Sequence, residues 1–489
     1  MKIDLRRKTK IVCTLGPGTA SSRIMERLIR AGMNVARINM SHGDETTNEE
    51  YIRTVRTSAQ KVGVPVAILI DLPGPRYRTG DLKDEQVILR KGARFVLTSR
   101  TAPGDQKEVS LNLGNLIQDV KKGDNILLDD GAIRLQVLES TETDILCKVI
   151  VGGILRPRRG IAAPGVKLSA PFITDDTKRH LRFAAKQQTE FIALSFVSRQ
   201  SDVVQVRSLM AEMGFIAPIV SKVERREAVR NFDRILQVSD GIMVARGDLG
   251  VEMALEKVPL LQKQFIKKCN SAGKPVITAT QMLESMIKAP RPTRAEVADV
   301  ANAIYDGTDA IMLSAETAIG KYPVEAVSMM VRIAKEIESG LPYERRMAER
   351  GSDLEPQTDD AIAYDACHTA HQINAHAILA YTESGSTAWR VCKYRPRVPI
   401  VALTDNDIVR RRLVLAWGVY PYRMPQPSHI EDLFVDGNNI AFELGIAGNG
   451  DHVIITGGVP IGVVGTTNLL KVQSVKVPDT VVKKKSKSR

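Results

Sequence analysis

The sequence predicts an α/β protein: a (β/α)8 barrel with an inserted all-β lid domain and a C-terminal open α/β domain. Three observations predict it. Eight short apolar runs, each closed by polar or charged residues, are followed by amphipathic helical patterns. That rhythm breaks once, between 81 and 165, where β alternation punctuated by glycine replaces helical periodicity. Beyond a charged stretch at 343–357, helix and strand alternate again from 358 to 475. At 489 residues the chain exceeds what one hydrophobic core fills, so two or three domains are expected.

The barrel strands are expected at 10–15, 33–38, 65–71, 191–196, 217–223, 241–246, 275–280 and 309–314. Apolar runs of this length, bounded by turn residues, read as parallel strands buried on both faces. Helices are expected near 21–31, 48–62, 174–188, 198–213, 225–238, 256–271, 293–305 and 323–339. The barrel therefore takes 1–80 and 166–342, with the lid at 81–165 inside the loop after the third strand. Lid strands are expected at Gln86–Leu89, Arg94–Leu97, Gly123–Leu128 and Ala132–Val137, with a short helix near 113–121. An insertion on that face of a barrel reads as an active-site cover. Residues 343–357 are expected to be a linker. The C-terminal domain then has strands near 377–381, 399–403, 418–423, 452–456 and 468–475. The last segment, 476–489, carries Lys483, Lys484, Lys485, Lys487 and Arg489 and reads as a disordered basic tail.

Composition narrows the function. The apolar share of 43% and charged share of 26% are those of a globular protein. No apolar run is long enough to span a bilayer, and Met1–Arg7 does not resemble a signal peptide, so no membrane partner is expected. Five scattered cysteines without a C-x-x-C pair point to a reducing cytoplasm rather than a disulfide frame. The net charge of +13 suits anionic substrates as well as nucleic acid. With aromatics at 4% and no stacking rings among the basic stretches, nucleic acid is the weaker choice.

In such a barrel the chemistry sits at the C-terminal ends of the strands. Those ends offer Arg37, Asn39, Ser41 and His42; then Asp71; then Lys222 and Glu224; then Arg246 and Asp248. The last two strands add Thr278, Thr280, Ser314 and Glu316. Lys222 and Glu224 are two apart and share one strand face. A lysine beside two carboxylates fits a divalent cation on Glu224 and Asp248 with an ammonium aimed at an anion. It equally fits a structural Lys–Glu pair capping a core. The lid's exit, Arg156–Gly160, would bring cations over the mouth, or form a solvated hinge. In the C-terminal domain, Thr382, Ser384, Gly385, Ser386 and Thr387 open a helix and could cradle a phosphate, or be an ordinary N-cap.

Several long motifs, in this order, resemble the pyruvate kinase family: 36–43 (ARINMSHG), 220–224 (VSKVE), 243–250 (MVARGDLG), 279–286 (ATQMLESM) and 312–317 (MLSAET). The resemblance runs from about residue 3 to 475. It implies transfer of the phosphoryl group of phosphoenolpyruvate to ADP, giving pyruvate and ATP. By the same resemblance Glu224 and Asp248 hold Mg2+ or Mn2+, and Lys222 neutralises the transferring phosphoryl group and the enolate. Arg37 and Arg246 help hold the phosphoryl end and the site around it, and Gly247 lets backbone approach the substrate carboxylate. Thr280, with Ser314, delivers the proton to the enolate carbon. Asn39, His42, Arg78 and Arg159 are implied at the nucleotide. A homotetramer is also implied.

Two departures from the family pattern carry expectations. Residues 71–78 read Asp-Leu-Pro-Gly-Pro-Arg-Tyr-Arg, where potassium-requiring relatives resemble Asp-Thr-Lys-Gly-Pro-Glu-Ile-Arg. The monovalent-cation site of those relatives maps to Asn39, Ser41, Asp71 and the carbonyl of Leu72. Leu72 lacks the threonine hydroxyl, and the guanidinium of Arg76 can supply the charge of a bound K+. K+ is therefore expected not to be required. The loop 456–465 lacks the tryptophan and arginine that grip a second phosphate in fructose-bisphosphate-activated relatives. Activation is expected from a monophosphate, such as a sugar phosphate or AMP, or not at all. Ala162 also stands where the family commonly has asparagine. Competing readings are a metal-dependent barrel lyase or aldolase acting on an oxoacid, and a non-catalytic sensor or RNA-associated protein using the basic tail.

Overall fold

Eight parallel strands close into a barrel in strict chain order, each paired with the next and the last with the first. They are Lys10–Thr14, Val35–Asn39, Ala67–Leu72, Phe191–Leu194, Ile219–Val223, Gly241–Ala245, Val276–Ala279 and Ala310–Leu313. The computed structural model describes residues 5–75, 77–351, 354–463 and 465–477. Arg76 and most of the basic tail, 478–489, lie outside the described residues.

Alternation along the strands sorts the core into two layers. Val12, Val35, Ala67, Leu69, Phe191, Ala193, Val220, Met243, Ile277, Ala279, Ala310 and Met312 fill the barrel interior. Ile11, Ile38, Ile68, Ile70, Leu72, Ile192, Ile219, Ile242 and Ile311 pack outward against the helices. Strand side chains have a period of two, so interior parity continues to the mouth and selects Thr14, Arg37, Asp71, Ser195, Lys222 and Ser314. Those residues are the polar cap of an apolar stack. The C-terminal domain closes the other end, where its Val414 and Leu415 join the interior cluster.

The insertion forms a seven-stranded sheet and a two-stranded one around its own core of Phe95, Leu97, Ile126, Leu135, Ile145 and Val149. Its incoming strand Tyr77–Arg78 pairs antiparallel with its outgoing strand Gly160–Ala162. The strand Asp144–Val151, absent from the sequence expectation, pairs with both Arg94–Thr98 and Ile133–Ser140. The C-terminal sheet runs Val419–Arg423, Ile400–Thr404, Ile378–Tyr381, His452–Gly457, Leu469–Ser474, with the final strand antiparallel.

Three expectations are corrected. The stretch expected as a linker contains a helix, Tyr343–Gly351, that buries Met347 and ties Arg350 to the Lys393 carbonyl at 2.9 Å. The helix expected at 225–238 is two, Arg226–Arg230 and Phe232–Val238, separated by Asn231. The sixth barrel strand ends at Ala245, and a short helix, Arg246–Glu252, begins at once.

Candidate active site

The mouth of the barrel is a buried charge network. Arg37, with 8% of its surface exposed, donates through Nε to Asp71 Oδ2 at 2.7 Å and through Nη1 to Thr14 Oγ1 at 2.9 Å. Lys222, equally buried, lies 2.8 Å from Glu224 Oε1 and 3.3 Å from Asp71 Oδ1. Its Nζ also donates to Ser195 Oγ at 2.7 Å, and that hydroxyl lies 3.2 Å from Asp71 Oδ1. Two cations and two carboxylates balance, which is what permits their burial.

The network fixes its own protonation. Burial works to raise the Asp71 carboxyl, but Lys222 and Arg37 together hold it below the ordinary carboxylate value. Burial likewise works to lower Lys222, and Asp71 and Glu224 overcome it, so the ammonium is held above its ordinary value. Lys222 is therefore a permanent cation at neutral pH, suited to electrostatic stabilisation rather than to proton transfer.

Glu224 and Asp248 line one cavity between the barrel mouth and the lid, with Tyr77, Phe196, Arg225 and Glu252. The lid contributes Leu127, Asp130 and Gly160 to the same cavity. Glu224 is anchored there because its Oε2 accepts the Phe196 N–H at 2.7 Å. Two carboxylates suit magnesium, which is held by one or two of them and keeps water and substrate oxygens for the rest. The donor set fits that group.

Gly247 and Thr280 face each other across neighbouring strand ends. The Gly247 N–H donates to Thr280 Oγ1 at 2.7 Å, and the threonine hydroxyl donates to its own preceding carbonyl, Ala279 O, at 2.6 Å. A Cβ on residue 247 would stand 3.3 Å from that hydroxyl oxygen, so glycine permits the contact. Thr280 and Gln281 have φ of 70° and 53°, a left-handed turn that a β-branched residue adopts only under constraint. The constraint is Arg246. Its guanidinium donates to Thr280 O at 2.8 Å and to Asp299 Oδ1 at 2.7 Å.

In this geometry the Arg246 guanidinium braces the Thr280 turn, part of the site around the expected phosphoryl end. Glu316 is likewise structural, its carboxylate accepting the N–H groups of Ser314 at 2.7 Å and Leu283 at 3.1 Å. The Leu72 side chain packs in the outer layer, and its carbonyl, the atom expected at the cation site, accepts the Ser195 N–H at 3.3 Å. The potassium argument then rests on Arg76, which lies outside the described residues.

Asn39 and Ser41 form a local turn, with Ser41 N–H donating to Asn39 Oδ1 at 3.1 Å, and His42 is exposed beside them. Arg78 and Gly160 are register partners in the lid stem, which sets Arg159 next to Arg78. Arg78 donates to the Arg158 carbonyl at 3.1 Å, and Arg159 lies 3.6 Å from Asp129. In the C-terminal domain, Gly385 has φ 94° and caps the helix Ser386–Lys393. Its N–H donates to Thr382 Oγ1 at 2.9 Å, and Ser384 donates to Ser386 Oγ at 3.2 Å. Thr387 is buried against Thr467, 2.8 Å between hydroxyls.

Sequence reasoning missed Ser195, Thr14, Phe196 and Arg225. Interior parity was a sufficient signal for the first two, since 191, 193 and 195 alternate inward as 220, 222 and 224 do.

With the geometry in place, comparison with known proteins decides the family. A family model described as "Pyruvate kinase, barrel domain" matches residues 6–327, and one described as "Pyruvate kinase, alpha/beta domain" matches 360–473. The chain belongs to the pyruvate kinase family. It is 45% identical over 474 residues to the pyruvate kinase of Geobacillus stearothermophilus, covering 96% of this chain and 81% of that one. Against the Staphylococcus saprophyticus pyruvate kinase it is 46% identical, covering 96% and 80%. A crystal structure of a Cryptosporidium parvum pyruvate kinase superposes with a TM-score of 0.92 at 39% identity, over 96% of each chain. This member of the family is a phosphotransferase that moves the phosphoryl group of phosphoenolpyruvate to ADP. Among the described residues, no helix is long and apolar enough to cross a membrane.

Proposed function

We propose that the mouth network, Lys222 with Asp71, Glu224 and Ser195, is the catalytic centre for this reaction, and that Glu224 and Asp248 hold the divalent cation. The observation that carries the reading is a permanently charged ammonium 2.8 Å from a carboxylate that shares a cavity with a second one. Bound there, Mg2+ or Mn2+ supplies Lewis-acid neutralisation of the substrate carboxylate and enolate oxygen. Lys222 stabilises the phosphoryl oxygens in flight and then the enolate; Arg37, fixed by Asp71 and Thr14, orients the phosphoryl end. Gly247, lacking a side chain, lets backbone approach the substrate carboxylate closely. Thr280, held in its strained turn by Arg246, would help deliver the proton to the enolate carbon with Ser314 and ordered water. Arg78 and Arg159 receive the nucleotide phosphates together with Asn39 and His42, and lid closure excludes water.

A coupled lactate dehydrogenase assay with phosphoenolpyruvate, ADP and Mg2+ tests the reading. Glu224→Gln and Asp248→Asn should each abolish turnover and the metal-dependent rise in melting temperature. Retention of either response in both variants would sink the assignment.

The enzyme is further read as cytoplasmic and homotetrameric, turning over without potassium and either answering to a monophosphate, such as a sugar phosphate or AMP, at 382–387 or having no such activator. Turnover that falls to background in sodium- and potassium-free buffer would refute the potassium reading. Strong saturable activation by fructose 1,6-bisphosphate alone would refute the effector reading. Sedimentation of the purified enzyme measures the assembly.

A further inference from the structure

The Lys222 ammonium has three hydrogens and three acceptors around it: Ser195 Oγ at 2.7 Å, Glu224 Oε1 at 2.8 Å and Asp71 Oδ1 at 3.3 Å. The proposed metal site needs one of the three. Glu224 Oε2 is fixed by the Phe196 N–H, and Phe196 itself is held at a φ of 58°. A dication that takes Oε1, the oxygen not tied to backbone, meets the ammonium already there. Two positive groups on one oxygen repel each other, so the ammonium must have somewhere else to rest.

Ser195 provides that place. Its hydroxyl is buried, with 6% of the residue exposed, and bridges the ammonium to Asp71 Oδ1 at 3.2 Å. The strand contact at this position does not need the side chain, since Ser195 pairs with Leu72 through its backbone N–H. The other inward residues of the same strand, Phe191 and Ala193, are apolar. A hydroxyl here serves the charges rather than the packing.

We propose that Ser195 is a positioning residue that seats the Lys222 ammonium against Asp71, freeing Glu224 for the divalent cation and one Lys222 N–H for the transferring phosphoryl oxygen. The proposal rests on the reading of Glu224 and Asp248 as the metal site. Without the hydroxyl the ammonium leans on Glu224, competes with the cation and points away from the substrate.

The experiment is Mn2+ binding to the full-length, substrate-free enzyme by electron paramagnetic resonance, alongside steady-state kinetics. Ser195→Ala should weaken Mn2+ binding and lower kcat by about tenfold each, the scale of one lost charge-assisted hydrogen bond, with KM for phosphoenolpyruvate nearly constant. In a Lys222→Gln background the same serine change should leave Mn2+ affinity within about twofold, because the hydroxyl acts through the lysine. Ser195→Thr should recover most of the loss. Ser195→Cys keeps the volume with a weaker hydrogen bond and gives the same comparison where the alanine variant does not fold. Mn2+ affinity untouched by the serine change, or reduced equally with and without Lys222, overturns the seat. The metal reading fails separately, if Glu224→Gln binds Mn2+ as the wild type does.

Discussion

The two ends of the barrel use the same residue types to opposite ends. At the foot, Asp309 accepts the Val276 N–H at 3.0 Å and pairs with Arg395 at 2.8 Å. Glu190 accepts the Ile68 N–H at 2.7 Å and holds Arg56 at 2.8 Å and Arg411 at 2.6 Å. Beside them, Glu338 accepts the N–H groups of Lys8 and Thr9 at 2.7 and 2.6 Å. Arg395 and Arg411 come from the C-terminal domain, so Asp309 and Glu190 are stoppered by backbone and a neighbouring domain, and Glu338 by backbone. At the mouth the charges are as deeply buried, but Glu224 and Asp248 open onto a shared cavity. Burial of charge does not by itself mark a site. Convergence on a space that substrate can enter does.

The comparison can be broken at either end. Arg395→Ala leaves Asp309 buried without its cation and should cost about 3–5 kcal/mol of stability in denaturant melts, while the enzyme that remains folded keeps its kcat. A comparable loss of kcat per folded molecule would erase the distinction between foot and mouth. Lys222→Met should do the reverse, lowering kcat by about 10²–10³, or about 2.7–4 kcal/mol of barrier. Added Mg2+ should raise the melting temperature of that variant more than that of the wild type, because the cation replaces the missing ammonium.

A smaller effect is expected at Gly247→Ala. The new methyl would press on the Thr280 hydroxyl at 3.3 Å and displace the turn by a few tenths of an ångström, for a loss of about tenfold in kcat. Steady-state kinetics at saturating phosphoenolpyruvate checks it.

The smallest effect is in pH dependence. The Asp71 carboxyl is held below its ordinary value of 3.8, so its stabilisation is present above that value and is lost as pH falls through the lower folded one. Lys222 is held above 10.5, so its contribution is complete below that value and is lost as pH rises through the higher folded one. Between those limits Asp71 and Lys222 should add nothing to the slope of melting temperature against pH. Asp71→Asn should remove the acid limb and bring the alkaline limb to lower pH, because Asp71 also helps hold Lys222 above its ordinary value.

The barrel was legible because its strands are apolar runs with charge at one end, and all eight lie within a few residues of where the pattern put them. Arg37, Asp71, Lys222 and Glu224 stood out for the same reason. Ser195 did not, because one serine among many carries no signal until the parity of Phe191 and Ala193 is counted. The brace that Arg246 makes on the Thr280 turn was not legible, since its partner, Asp299, lies across the next loop. The helix Arg246–Glu252 was missed because Gly247 and Gly250 depress helix propensity. Tyr343–Gly351 was read as a linker because its polar run hides the one residue, Met347, that it buries.

The pairing of Tyr77–Arg78 with Gly160–Ala162 gives the cover a stem. Chain leaves the barrel and returns to it on adjacent rungs, so the third and fourth barrel strands can register, Leu69 with Phe191, whatever hangs beyond the stem. Loop-closure entropy grows only by about 0.6 kcal/mol for each doubling of length. The cover is thus an exchangeable appendage: descent can lengthen, shorten or replace it, and retune how tightly the enzyme shuts, without renegotiating the scaffold that holds the chemistry.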